Sequence, residues 1–267
     1  MKNENEIESL AVVATTDFTQ QNMSAEIDQQ VAAAKRYPRN VNRFRSNVIA
    51  EATINQATIE SMMYALPVGN GKVETGPSIR MAEIVGAQYG NLMVQARIVS
   101  INEKTVTAQG VAWDMETNFK VSVEVSESIV KKDGSRYQDR AIKNVCNSAI
   151  SKAYRNAIFR VVPRSTVDWF IEQLEKSVQY KPEEIEEKKH SAFKYLKDKF
   201  NIPEINILNF VGKKTIAEIG TKELTKIRAG LNAIKDGQAS PFSVFENPEK
   251  SEEKPKADNP VDDLFNK

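Results

Sequence analysis

Lysine and arginine are concentrated between residues 131 and 164. This segment holds nine basic residues and two aspartates, a net charge of +7, whereas the whole chain of 267 residues carries only +1. Its centre predicts a long helix from Asp139 to Val162, ended by Pro163. On the helical repeat, one side of this helix is polar and carries Arg140, Asn144, Asn147, Ser148, Ser151 and Arg155. Basic and amide groups on a rigid element suit a phosphate backbone, and the alternative is a solvated helix face.

Two further groups of cations flank this helix in the sequence. Lys131, Lys132 and Arg136 surround the turn signal Asp133-Gly134 and predict a basic finger. Upstream, three arginines are interleaved with Tyr37 and Phe44, a composition typical of single-strand contacts; the alternative is a helix edge with two buried aromatics. The candidate DNA-binding residues are Arg39, Arg43, Arg45, Lys131, Lys132, Arg136, Arg140, Lys143, Asn147, Ser151, Lys152 and Arg155.

The elements that must position these residues are a helix, three strands and the long basic helix. Ile79 to Tyr89 has helical spacing behind a Ser78 N-cap and stops at Gly90-Asn91. Three strand-like runs joined by short polar loops follow: Leu92–Ile101, Thr105–Trp113 and Phe119–Ser126. Strict alternation in the third run indicates a half-buried antiparallel strand. The fold class is therefore predicted as α+β, with a small C-terminal helical module.

Residues 55–77 are interpreted as a helix followed by a glycine-rich loop. Ile59, Met62, Met63 and Leu66 fit the buried stripe of a helix from Asn55 to Leu66. Residues 68–77 contain glycines and Lys72, but Val73 follows that lysine and a helix precedes the loop. A phosphate-binding loop requires Gly-Lys-Ser/Thr after a strand, so a nucleotide-triphosphate site is rejected.

The predicted organisation has five parts. Residues 1–23 are read as a disordered arm, 24–179 as a DNA-binding and oligomerisation domain, 180–187 as a charged linker broken by Pro182, 188–245 as a helical module, and 246–267 as a disordered acidic tail. The tail ends in Asp262, Asp263, Leu264 and Phe265, a candidate partner-docking peptide; the alternative is a solubilising tail.

Residue usage argues against several classes of catalytic chemistry. His190 is the single histidine and Cys146 the single cysteine, which excludes a multi-histidine zinc cluster and an internal disulfide. The carboxylates are scattered, so no magnesium site is predicted. No cofactor is expected, and an enzyme is the weaker hypothesis. Because the sequence lacks a signal peptide and a long apolar run, the expectation is a cytoplasmic protein without a membrane partner.

The order of helix, three-stranded sheet and long basic helix resembles the core of phage single-strand annealing proteins of the RecT, Redβ and Erf groups. The segments GPSIRMAEI, GNLMVQARIV, TAQGVAWDMETN and NSAISKAYRNAIFRVVP carry this resemblance. It covers about residues 36–170, and residues 188–245 more loosely. It is a likeness of whole pattern, without an invariant signature from which family residues could be carried over.

The resemblance implies annealing of complementary strands without ATP in phage recombination and repair. It implies a homo-oligomer, a ring or a filament, which binds single-stranded DNA and the annealed duplex in a basic groove. The partners it implies are the host single-strand-binding protein or a phage exonuclease, in the cytoplasm of a bacterial host. The alternative function is a single-stranded DNA-binding replication accessory protein without annealing activity, and a passive structural protein with a basic surface is a third.

Overall fold

The computed structural model describes residues 24–69, 72–131, 133–178 and 180–245. The predicted arm, Lys132 and the tail with Asp262, Asp263, Leu264 and Phe265 lie outside these residues. The chain is α+β and divides into two compact units, Met1–Asn55 with Ile79–Lys176, and Gln56–Ser78 with Ser177–Lys267. In chain order the elements are α1 (24–36), α2 (Val41–Ala52), α3 (Gln56–Ser61), β1 (Met63–Gly69), β2 (Lys72–Pro77), α4 (Ile79–Tyr89), β3 (Leu92–Ile101), β4 (Thr105–Asp114), β5 (Phe119–Ser128), α5 (Asp139–Val161), α6 (Arg164–Ser177), α7 (Pro182–Phe200), α8 (Glu204–Val211), a 3-10 turn (Ile216–Glu218), α9 (Thr221–Lys235) and α10 (Pro241–Phe245).

The first unit is built on an antiparallel sheet with strand order β3-β4-β5. Burial alternates along the central strand: Val106, Ala108, Gly110 and Ala112 are buried, and Thr107, Gln109 and Val111 are partly exposed. Helix α5 packs on all three strands. The predicted helix, three strands and basic helix of this unit are thus confirmed, with bounds that differ by at most two residues.

Helices α2, α4 and α6 close the rest of the first unit around aromatic side chains. Phe44 of α2 meets Tyr89 of α4 and Phe170 of α6 edge to face, with ring centroids 5.1 and 5.4 Å apart. Phe44 and Phe170 are almost completely buried. Helix α4 ends where predicted, because Gly90 and Asn91 adopt positive φ angles of 77° and 53°.

The second unit joins the hairpin β1-β2 and α3 to the C-terminal helices. Helix α9 packs on β1 and α3, and its Asn232 amide donates to the carbonyl oxygens of Glu60 (2.6 Å) and Met63 (2.9 Å). Ala65 of β1 joins the apolar core formed by the helices after Tyr180. Side chains from distant parts of the sequence therefore complete one core.

The buried Glu60 side chain lies at the centre of a hydrogen-bond and ion-pair network in the second unit. Its buried carboxylate accepts hydrogen bonds from the Tyr180 hydroxyl (2.8 Å) and the Lys188 ammonium (2.9 Å), and Arg228 lies 3.4 Å away. Burial by itself raises the pKa of Glu60, but the hydrogen bonds from Lys188 and Tyr180 outweigh it, so the pKa lies below its ordinary value. Burial and the neighbouring Glu60 charge raise the pKa of Tyr180.

Four expectations from the sequence differ from the structure. The helix predicted over 55–66 stops at Ser61, and among the residues predicted as a glycine-rich loop, 68–69 end β1 and 72–77 form β2. Residues 56–78 consequently belong with the C-terminal helices and not with the predicted 24–179 domain. The charged stretch read as a linker begins α7 at Pro182, since proline is well suited to the first turn of a helix.

Candidate nucleic-acid interface

Helix α5 turns its small residues toward the sheet and many of its cations away from it. Ala149, Ala153 and Ala157 are fully buried, one turn apart. Opposite them, Gly110 of β4 lies so close that a Cβ atom there would overlap the Ala153 carbonyl group. The helix backbone therefore rests almost directly on the sheet, and the first half of its outer side is exposed to solvent.

Five of the predicted DNA-binding residues lie together in sequence on this outer side and on the finger before it. We call them the basic stripe. Each of the five is exposed: Lys131, Arg136, Arg140, Lys143 and Asn147. Within the described part of the chain, none of its four cations forms an ion pair. The stripe is thus a set of unneutralised donors on a rigid support, which is the arrangement that phosphate contacts require.

Backbone hydrogen bonds close the finger into a turn. A bridge between Val130 and Arg136 and a hydrogen bond from the Lys131 amide to the Ser135 carbonyl (2.8 Å) close it, and Gly134 at its tip has a φ angle of 83°. The Asp133 carboxylate accepts from the Ser135 hydroxyl (2.6 Å) and amide (2.8 Å), which lowers the pKa of Asp133. The backbone thus places Lys131 and Arg136 on neighbouring arms of the turn.

The second half of α5 differs from the first. The Lys152 ammonium pairs with Glu127 of β5 at 2.7 Å. Arg155 is half-buried and its guanidinium contacts the Asn156 side chain at 3.2 Å, and Ser151 is half-buried. Ser148, expected on the exposed polar face, is buried. Lys152 is therefore engaged by the protein's own carboxylate, and the exposed cations of α5 lie at its two ends, Arg140 and Lys143 near the start and Arg160 in the last turn.

The three α2-region arginines have three different environments. Arg39 forms ion pairs with Asp114 and Glu116, and its guanidinium lies 3.8 Å from the Tyr89 ring centroid, so it holds α4 and the end of β4 together. Arg43 is exposed. Arg45 is half-buried, 5.6 Å from the ring centroid of Trp169. Within the described residues, no hydrogen bond or ion pair joins Arg43 or Arg45 to the basic stripe.

Trp169 of α6 is not among the candidate residues taken from the sequence. Val167, Phe170 and Leu174 of α6 are buried at the spacing of one helical face, whereas Trp169 is 36% exposed. Phe44, by contrast, was expected to contact bases in one interpretation and lies in the core. Phe44 lies on the buried face of its helix, whereas Trp169 lies beside the buried face of its own.

No group of three or more His, Cys, Asp or Glu side chains among the described residues is placed to hold a metal ion. A cavity of about 390 Å³ lies in the second unit, and Phe193, Ile202, Ile207 and three lysines are among the residues that line it. None of the described helices combines the length and apolar character needed to cross a membrane.

No family model, curated protein or solved structure matches the chain.

Proposed function

We propose that this protein anneals complementary DNA strands without ATP, by binding their sugar-phosphate backbones along the basic stripe. The observation that carries the proposal is the stripe itself, four exposed cations and an amide on the finger and first half of α5. The resemblance to phage annealing proteins in the arrangement of helix, sheet and basic helix supports the same function.

The physical role of the stripe is to offset the repulsion between two strands. Base pairing supplies the driving force for annealing, so neither a general acid nor a base is needed. Cations on α5 neutralise phosphates, and the bases stay free to pair because the contacts are to the backbone. A rigid helix against a sheet keeps those contacts in register along the strand.

The proposal also includes a homo-oligomer and a partner protein bound by the C-terminal residues. A homo-oligomer would extend the stripe along a strand, as expected for the annealing proteins that this chain resembles. Asp262, Asp263, Leu264 and Phe265 would dock the host single-strand-binding protein or a phage exonuclease in the cytoplasm of a bacterial cell. Two aspartates would meet a basic pocket and the two apolar side chains would anchor the contact.

The test is an annealing assay with two complementary oligonucleotides carrying a donor and an acceptor dye. We expect the protein to accelerate annealing above the spontaneous rate, with about the same rate when ATP and Mg²⁺ are present. A protein that binds both strands but leaves the spontaneous rate unchanged would be a coating protein. Strict dependence on ATP would overturn the mechanism. Electron microscopy of the same mixture would show whether rings or filaments form.

A further inference from the structure

Trp169 is an exposed aromatic residue beside a buried helical stripe. The buried positions of α6 are Thr166, Val167, Phe170 and Leu174, and Trp169 adjoins this stripe without being enclosed by it. Tryptophan is highly buried on average in folded proteins. A partly exposed indole, apolar and able to stack, is the type of side chain that binding surfaces use as an anchor.

Arg45 of α2 contacts this indole. Its guanidinium carbon lies over the ring, 5.6 Å from the centroid, which is cation–π distance. The Nε atom of Arg45 is buried and donates to no acceptor among the described residues. A buried donor without an acceptor costs free energy unless a ligand supplies one. The pair therefore combines a fixed aromatic ring with an unused hydrogen-bond donor.

The acidic side chains next to Trp169 are paired with cations, so they do not give the surface around the indole a net negative charge. Asp168 and Glu172 flank Trp169 on α6, and each is paired with a cation four residues away: Arg164 with Asp168 at 2.8 Å and Lys176 with Glu172 at 2.7 Å. Arg43, two residues before Arg45 on α2, is exposed. An anionic polymer can approach the ring without meeting an unpaired carboxylate among these residues.

We infer that Trp169 is a base-stacking position for single-stranded DNA, with Arg45 as its support. The inference rests on the proposed function and adds a second kind of contact to it. The stripe contacts phosphates, whereas the indole contacts the face of one base. Every base has an aromatic face, so this contact is tolerant of sequence. Its loss should weaken binding on the order of tenfold, the effect typical of one stacked base.

The experiment uses the full chain and two single-stranded oligomers of equal length and phosphate number, one with bases and one abasic. Trp113 and Trp169 are the two tryptophans of the chain, so Trp113→Phe makes Trp169 the only source of tryptophan emission. We expect the oligomer with bases to quench this emission and to bind Trp169→Leu on the order of tenfold more weakly. The abasic oligomer should bind without quenching and should bind Trp169→Leu unchanged. Phe119→Leu, which removes another exposed aromatic of the first unit, is the matched control and should bind both oligomers normally.

The outcomes separate this inference from the proposed function. Equal quenching by both oligomers, or unchanged affinity of a folded Trp169→Leu for the oligomer with bases, would overturn base stacking while DNA binding stands. Absence of binding to either oligomer at low salt would overturn the proposed function itself. If Trp113→Phe unfolds, the affinities of Trp169→Leu for the two oligomers decide the question alone.

Discussion

Arg140 and Lys143 lie one turn apart on the exposed side of α5, and neither forms an ion pair within the described residues. Each phosphate that a cation neutralises adds about 0.7 to the slope of log affinity against log salt for a single strand. The double change Arg140→Ala, Lys143→Ala should therefore lower this slope by about 1.4, equally for unrelated DNA sequences, as measured by fluorescence anisotropy over a salt series.

Lys120 provides the matched control for this prediction. It is an exposed cation on β5, on the sheet face opposite α5, so Lys120→Ala removes one cation from another surface. Its salt slope should stay that of the unchanged protein. If the double variant is folded and keeps the full slope, the stripe does not contact phosphate.

The charge pattern along the sequence indicates the stripe but does not distinguish exposed cations from engaged ones. Arg39 pairs with Asp114 and Glu116, which are 75 and 77 residues away in sequence, and Lys152 pairs with Glu127, 25 residues away. Long-range partners of this kind leave no local signal. The separation between exposed and engaged cations is therefore a property of the fold and not of the sequence composition.

At the scale of elements, the contact between α5 and the sheet depends on Gly110. A methyl group at this position would overlap the backbone of Ala153, which cannot move aside as a flexible side chain could. Gly110→Ala should lower the free energy of unfolding by ~3 kcal/mol or more, at the upper end of overpacking costs. Urea unfolding followed by tryptophan emission measures this change.

Gln109→Ala is the control for that substitution, since Gln109 is the neighbouring residue on the other side of the same strand, where α5 does not pack. It should change the free energy of unfolding by less than ~1 kcal/mol. Equal stability of Gly110→Ala and Gln109→Ala would show that the helix can withdraw from the sheet without cost.

Glu60 joins α3 to α7 and α9, and its lowered pKa makes the second unit sensitive to acid. Because the folded pKa lies below the ordinary value of 4.5, the stabilising effect is present above that value and is lost as pH falls through the folded pKa. Glu60→Gln should cost about 2 kcal/mol at neutral pH, less than a fully buried pair because Lys188 and Arg228 are partly exposed.

Urea unfolding followed by circular dichroism at neutral and acid pH tests this expectation. The difference between the original protein and Glu60→Gln should shrink as the pH falls, since protonation removes the same charge. Glu74→Gln, an exposed carboxylate on β2 of the same unit, is the control and should show little difference at either pH. A pH-independent difference for Glu60→Gln would point to packing as the cause.

The hairpin was missed because its residues also satisfy a helical pattern. Ile59, Met62, Met63 and Leu66 have the spacing of a buried helical stripe, yet Pro67 cannot lie in a helix interior. The sequence does contain the competing signal, since Asn70-Gly71 between two apolar runs is a strong hairpin indicator. What no local pattern could supply is the partner of the hairpin, because α9 follows more than a hundred residues later.

At the scale of the whole molecule, the C-terminal helices share a core with α3 and the hairpin, so we expect their removal to destabilise both. A chain ending at Ser177 would lack α9, whose Asn232 side chain donates to the backbone of Glu60 and Met63. We expect residues 56–78 of this truncated chain to exchange their amide hydrogens rapidly, while β4 and α5 stay protected. Hydrogen exchange with mass spectrometry, compared with the full chain, measures both regions.

Protection of residues 56–78 in the truncated chain would contradict the shared core. Loss of protection in β4 and α5 as well would mean that the first unit does not fold without the second. Only the expected pattern is compatible with two cores that form separately, one of them from two distant stretches of sequence.

The divided second unit also sets an order of events during synthesis. Asn232 is 172 residues beyond Glu60, and ribosomes add roughly 5–20 residues per second in the general range for protein synthesis. The newly made α3 and hairpin must therefore wait on the order of ten seconds or more before the helix that covers them leaves the ribosome. During that interval Ala65, which becomes fully buried in the core that it shares with the C-terminal helices, faces water or a chaperone, while all of β3, β4, β5 and α5 is made. In the nascent chain, the earliest strands to emerge are among the last to gain their final neighbours.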